Sequence, residues 1–443
     1  MKRWLIGSLA LLSGLGWSNA VRAEGSVNLT SNDGYRPFLD YRIDAFVVLP
    51  QPIPRRNVIK VYAETGETIN LGSSAIGVGG GRIIVRSPDG STNGFCGPGG
   101  LAGGLIQNRA QETAGPAPNP GGYPPCVINV DPDQTGVWDI EFVSPNAAAN
   151  NDPGAPGTSQ GPILAGSDWA EQNTNDSFVT AWDVTVSRGG AAIPGRVYAN
   201  YLPLNMGGNA SPGNPIILRS TTFIQTFEGY LYRIGLALDP YGFIFFANTK
   251  GFRDANGNPI FASVPLAGSN VHSPTALDNE LNNDITHKIF FNQPSASLPT
   301  VAPETGGGTT WLLNPPRPIP TTTDFDYRFV GIDGTPNQVG PTLGGNFLFN
   351  ATGSGNYVIT IDVNRDDVIG NANDVILRGP ATPGLNTIPW DGLDNDGNPV
   401  PAGVTPYEAV LTFFFGDVHF PFLDPEANPG GLIIERLTEP QSS

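Results

Sequence analysis

Val137-Trp138-Asp139-Ile140-Glu141-Phe142-Val143 alternates apolar and polar side chains with a period of two. A strand sends successive side chains to opposite faces, so Trp138, Ile140 and Phe142 share one face. Ala181-Trp182-Asp183-Val184-Thr185-Val186 repeats the pattern, with Trp182, Val184 and Val186 together. Both runs read as half-buried strands with their tryptophans in a core. The competing reading of the two tryptophans is an exposed platform for stacking on sugars.

The same periodicity extends outward in both directions. Residues 57–63, 81–86, 221–227, 230–238 and 242–247 read as strands, as do 327–330, 356–362, 374–378 and 409–415. Turn sequences punctuate them, such as Ser87-Pro88-Asp89-Gly90 and Asp239-Pro240-Tyr241-Gly242. Residues 144–162 form a long loop without period, and 278–284 is the one helix-like surface stretch. The expected fold is all-β, a row of β-sandwich (immunoglobulin-like) domains with long loops. The expected boundaries are 24–192 for a first sandwich and 193–300 for a second β domain. Residues 301–323 would be a stiff Pro/Gly/Thr-rich linker, 324–437 an immunoglobulin-like sandwich and 438–443 a tail.

The first residues bear on the compartment. Lys2 and Arg3 precede an apolar run from Trp4 to Leu15, and Val21-Arg22-Ala23 sets tolerated side chains before Glu24. This reads as a signal peptide over 1–23, cleaved after Ala23, with Ala20 as the second choice and an uncleaved membrane anchor as the competing reading. No later stretch has about 18 unbroken apolar residues, so no transmembrane helix is expected after cleavage.

Composition narrows the partners. The chain has 23 Lys+Arg against 40 Asp+Glu, a formal charge of −17, and loss of the leader makes this −20. Such a surface repels phosphate backbones, so no nucleic acid is expected as partner. Gly (57) and Pro (43) approach a quarter of the chain, yet aromatic and β-branched residues remain plentiful, which excludes a disordered chain.

Cys96 and Cys126 are the two cysteines, both in Gly/Pro-rich sequence. In an exported protein an isolated pair most simply forms one disulfide. Free thiols or a metal site are the alternatives, and no histidine lies nearby.

Two patterns carry possible chemistry. Over 362–374, Asp362, Asn364 and Asp366 stand at alternate positions, as in a calcium loop. Val368 would add a backbone carbonyl, and Asn373 and Asp374 the closing oxygens. Position six is Asp367 rather than glycine, and strands flank the loop. A structural calcium ion is one reading, and an acidic hairpin loop with Asx-turns is the other. The second pattern, 388–403, holds Trp390-Asp391-Gly392, Asp394-Asn395-Asp396-Gly397-Asn398 and Val400-Pro401-Ala402-Gly403.

That second pattern resembles the immunoglobulin-like domain of the flagellar hook-cap type, over roughly 356–416. The resemblance implies a β-sandwich with a scaffolding or surface role and no catalysis. More loosely, Glu24–Leu29, Gly34–Leu39, Val61–Glu67 and Phe245–Gly251 resemble the N-terminal region of large adhesin-type bacterial surface proteins. Those continue into repeat arrays, whereas this sequence ends at 438–443, as a short relative or an interrupted reading frame would.

Catalytic constellations are thin. His272, His287 and His419 lie in different settings, with His419 in an aromatic segment suited to packing, and no Gly-x-Ser-x-Gly elbow occurs. The expected function is therefore a secreted or cell-surface structural or adhesive protein that is not an enzyme. Its expected partner is a cell-surface component or an extracellular polymer. An extracellular carbohydrate-binding protein is the alternative, using Trp138, Trp182 or Trp390, and a hydrolase with a spatial carboxylate pair is the third.

Overall fold

The computed structural model describes residues 23–31, 33–47, 53–207, 216–256, 259–260, 270–280, 284–317, 327–338, 344–400, 406–427 and 431–438. Residues 1–22, which carry the expected leader, and 439–443 of the expected tail lie outside them. The chain is built almost wholly of antiparallel strands, with one α-helix, Arg109–Ala114, among the described residues.

Two sheets face each other in the main body. The smaller joins Glu24–Gly25, Trp182–Arg188, Thr68–Ser73 and Cys126–Asn129 in that order, with Ala191–Ala192 at one side. The larger has 14 strands among the described residues, with Ile59–Ala63 beside Gly136–Val143 near one end and Tyr201–Asn205 beside Phe38–Val47 near the other. Trp182 is the hinge of the packing. Its ring lies 5.2 Å from Phe142 and 5.2 Å from Phe291, and Trp138, Ile140 and Phe142 share that core. Each such large side chain contributes about 2–3 kcal/mol by leaving water.

The Gly136–Val143 strand departs from a half-buried one. Its alternation is as read, but the polar face is covered too. Glu141 is 2% exposed, accepting from the Tyr41 hydroxyl at 2.8 Å and from Arg56 Nε and Nη2 at 2.8 and 2.7 Å. Its neighbour Asp139 accepts from Lys60 Nζ at 2.8 Å. Ion pairs thus let a polar face sit inside the protein.

The expected boundary between 192 and 193 does not separate two cores. Val197–Ala199 pairs with Ile59–Ala63, with Val197 opposite Val61, and Leu204 lies opposite Leu39. A single apolar core runs from Leu29 to Phe291. The linker expected over 301–323 is also corrected. Val301–Pro303 and Thr309–Trp311 form a hairpin packed on the body, Leu312 is buried, and Trp311 donates from Nε1 to Asp278 Oδ2 at 2.9 Å. Residues 318–323 of the expected linker lie outside the described ones. The helix-like reading of 278–284 gives way to a turn in which Asn279 and Asp284 exchange backbone hydrogen bonds of 2.8 and 2.9 Å. Residues 281–283 of that stretch are outside the described ones.

A second, smaller sandwich follows. Arg328–Gly331, Gly345–Ala351 and Gly384–Trp390 form one sheet, and Val375–Ala381, Gly355–Asp362 and Glu408–Phe414 the other. Phe349, Tyr357, Ile359, Ile361 and Trp390 fill the space between. This unit does not extend to 437. Phe422–Ala427 and Leu432–Arg436 return to the body and run antiparallel along Leu231–Phe246, from Phe245 opposite Phe422 to Tyr232 opposite Arg436. The small sandwich is thus an insertion into the body's chain. Both its connections pass one turn: Arg317 N donates to Glu228 O at 2.8 Å, and Gly416 lies against the Glu228 side chain.

Cys96 and Cys126 are bonded, S–S 2.03 Å, and both are fully buried. Cys96 ends a strand of the large sheet and Cys126 begins one of the small sheet, so the bond ties the two layers together.

Candidate functional site

The 363–374 loop joins Gly355–Asp362 to Val375–Ala381, which pair with Ile361 opposite Val375. Asp362 is buried at its root. Its Oδ1 accepts from Arg365 N at 2.6 Å and Asp366 N at 3.3 Å, and Oδ2 accepts from Asp367 N at 3.0 Å. The tight path places Arg365 and Asp367 at φ 59° and 60°, the left-handed region that favours glycine. Asp367 therefore occupies the conformation for which a calcium loop ordinarily uses glycine.

The other expected ligands are distributed around this turn. Asp366 accepts from Asn364 Nδ2 at 2.9 Å, from Val368 N at 2.9 Å and from Asn371 Nδ2 at 2.9 and 3.1 Å. The Val368 carbonyl accepts from Asn371 Nδ2 at 2.9 Å, and the exposed Asn373 donates its N–H to Asn371 Oδ1 at 2.8 Å. Asp374 Oδ2 accepts from Gly370 N at 2.5 Å, while its buried Oδ1 has no hydrogen-bond partner among the described residues. Among those residues no three His, Cys, Asp or Glu side chains are grouped to hold a metal ion. Asn371, absent from the expected set, organises the loop; its amide side chain two and five residues from its partners was the available signal.

A second acidic loop docks beside the first. Trp390 is buried and donates from Nε1 to Leu393 O at 3.1 Å. Asp394 accepts from Asn398 N at 2.8 Å and Asp396 N at 3.0 Å, and the Asn398 amide foremost holds its carboxyl below the usual range. Asn395 Nδ2 reaches Asp374 O at 2.9 Å and ties the loops together. The result is an acidic tip formed by Asp366, Asp367, Asp391, Asp394 and Asp396 over the buried Asp362 and Asp374, with the Arg365 guanidinium 4.1 Å above the Tyr407 ring.

The aromatic candidates are inside. Trp138, Trp182 and Trp390 are 0%, 1% and 4% exposed, so none offers a stacking face to a sugar. His419 packs its ring under Gly251 and sets Nδ1 3.1 Å from Thr249 O, where the chain returns to the body. His287 lies near it, fully buried, and burial pushes its pKa down to about 3. His272 stands elsewhere, 3.9 Å from Asp278.

A cluster of buried carboxylates has no counterpart in the sequence reading. Glu112, on the short helix, takes a bidentate pair from Arg36 at 2.8 Å and 2.8 Å and also bonds Arg109 and the Ser26 hydroxyl. Burial works to raise its pKa, but Arg36 outweighs it and the carboxyl is lowered. Beside it Asp183 accepts from the Tyr123 hydroxyl and from Thr185 Oγ1 at 3.1 Å. Glu24 accepts from Gly195 N at 2.9 Å and Arg196 N at 3.3 Å. Burial raises Asp183 to about 7 and Glu24 to about 8. The partners are distant in sequence, Arg36 and Glu112 by 76 positions, so no local pattern marks them.

No protein-family model matches the chain, and no curated protein matches it. Among solved structures, the chain is similar to a DUF4785 family protein from Legionella pneumophila subsp. pneumophila. That alignment has 8% identity and a TM-score of 0.13, and covers 89% of this chain and 87% of that one. A likeness at that score carries no argument about fold or function.

Proposed function

We propose that this chain is an exported structural or adhesive protein of a bacterial surface, without catalytic activity. The observation that carries the reading is the fully buried Cys96–Cys126 bond between the two sheets. Such bonds persist in oxidising compartments and stabilise by about 3–4 kcal/mol for a loop of this length. The leader-like residues 1–23 and the likeness of 356–416 to the hook-cap immunoglobulin-like domain support the same placement. So does the insertion, which lets a rigid body carry a second sandwich with an acidic tip. The partner is a cell-surface component or an extracellular polymer that meets that sandwich. A structural calcium ion at the 362–374 loop belongs to this reading, supported by the buried oxygen of Asp374 that has no partner among the described residues.

Fractionation of the native cells tests it, with the thiols blocked at lysis. The expected result is a protein in the envelope or medium that shifts on reduction. Recovery from the cytoplasm with two alkylated cysteines would sink the proposal.

A further inference from the structure

Asp183 is a buried carboxylate that has no cation beside it among the described residues. It is 1% exposed, accepts from the Tyr123 and Thr185 hydroxyls, and joins no ion pair among the described residues. Arg36 and Arg109, in the same buried cluster, are both committed to Glu112. Glu24, equally buried, also pairs with no cation among the described residues and is held by the Gly195 and Arg196 amides, with Asn292 beside it. Leaving two buried acids uncompensated is costly, and natural cores pair such groups.

The missing charge has a source in the backbone. Gly25 lies opposite Asp183 and Glu24 opposite Val184, so the chain's first described strand runs directly over this site. Gly25 packs so closely on Trp182 O that a Cβ there would meet it at 2.2 Å, which fixes the strand's depth. The Glu24 backbone nitrogen faces the Asp183 carboxylate. As a peptide nitrogen it offers one N–H and no charge. Ala23, on its other side, lines a cleft of about 920 Å³ bounded also by Thr113 and Asn292.

We propose that cleavage of the Ala23–Glu24 bond creates an α-ammonium group that forms a buried ion pair with Asp183, so that removal of the leader completes the fold. Hydrolysis adds one water: its hydroxyl goes to the Ala23 carbonyl carbon, which leaves as a carboxylate, and the Glu24 nitrogen gains protons to become the ammonium. The new group has three N–H donors and one positive charge beside two acids. Pairing lowers the Asp183 carboxyl toward its ordinary range, because an adjacent cation favours the charged form. Cleavage after Ala20 would leave Val21, Arg22 and Ala23 in place and keep the Glu24 nitrogen an uncharged amide.

The inference rests on the export reading, and the tests separate the two. Mass analysis of the exported protein should find Glu24 as the first residue. An uncleaved cytoplasmic chain would overturn the export reading with it, whereas an exported chain beginning at Val21 overturns this inference alone. Two full-length proteins are then compared, one released from a fusion to begin at Glu24, the other carrying Ala23 ahead of it. The first should melt ~3 °C or more above the second. Its α-amine should react with a water-soluble amine reagent at least ~10-fold more slowly than when unfolded, a factor worth ~1.4 kcal/mol, read on the N-terminal peptide. Asp183→Asn should abolish that protection. Equal melting of the two proteins, or an unprotected α-amine in the native wild type, overturns the ion pair, even if Asp183→Asn fails to fold.

Discussion

The Tyr230 hydroxyl donates to the Arg317 carbonyl at 2.8 Å, at the point where the chain leaves the body for the inserted sandwich. The same ring meets Phe415 edge-on at 6.5 Å, where the chain comes back. Arg317 in turn covers the Phe227 ring at 4.5 Å. One turn, 226–230, therefore clasps both connections.

Removing the clasp should loosen the body more than the insertion. Tyr230→Phe deletes one hydrogen bond to a backbone acceptor, for a loss of ~1 kcal/mol. Tyr230→Ala also deletes the ring contacts, for ~3–5 kcal/mol. Denaturant melts followed by tryptophan fluorescence would check this. An unchanged body transition in Tyr230→Ala would show that the clasp carries no load.

Acid should act at the neighbouring His287. Its Nδ1 accepts from Phe227 N at 3.4 Å, and its pKa in the fold is down to about 3. An unfolded histidine titrates near 6.5, so the unfolded chain binds the proton first as pH falls. The neutral form's contribution is whole above pH ~6.5 and is lost toward pH ~3, with a slope of ~1.4 kcal/mol per pH unit. In the uncleaved chain Glu24 and Asp183 act with the opposite sign, since their folded pKa values are raised to about 8 and about 7. A difference measurement isolates the histidine: the stability gap between wild type and His287→Gln should move steadily between pH 6.5 and 4. A gap independent of pH would contradict the burial argument.

The strands were legible because a two-residue period is a local property. Trp138, Ile140 and Phe142 share a face in the sequence and in the core alike. What each strand pairs with is not local. Nothing near Val197 marks Val61 as its partner, and nothing near Phe422 marks Phe245, so one body read as two domains and the insertion read as a terminal domain. Pro-rich composition misled over 301–317 for a related reason. Proline tolerates an edge or hairpin position, and Leu312 and Trp311 supplied the burial that anchors the segment. The acidic loop was visible in its spacing. Its closure through Asn371, and the burial of Asp362 and Asp374, depend on side-chain directions that spacing alone leaves open.

Calcium at the acidic tip has a direct measurement. Millimolar Ca²⁺ at 100 times the dissociation constant should add ~2.7 kcal/mol to the small sandwich by mass action. Asp374→Asn should remove most of that gain, because it alters a buried carboxylate oxygen of the loop that has no partner among the described residues. Melting temperatures identical in excess chelator and in millimolar Ca²⁺ would leave the loop closed by its own amides, as Asn364, Asn371 and the 365–367 backbone already close it.

The insertion itself should be separable. Arg317 and Gly416 both lie against Glu228, so a connection of about 4–6 residues spans the gap that the sandwich leaves. The body keeps its core from Leu29 to Phe291, its disulfide and the returning strands at 422–427 and 432–436. A chain with 318–414 replaced by such a connection, which keeps Phe415 against Tyr230, should fold and melt within about 3 °C of the intact body. The excised unit, 327–414, has six strands and its own core around Ile359, Ile361 and Trp390, enough for a small domain to fold alone. Circular dichroism should show a cooperative β-type melt for each. An aggregated body would mean that the insertion shields its 226–230 turn or its 422–436 edge.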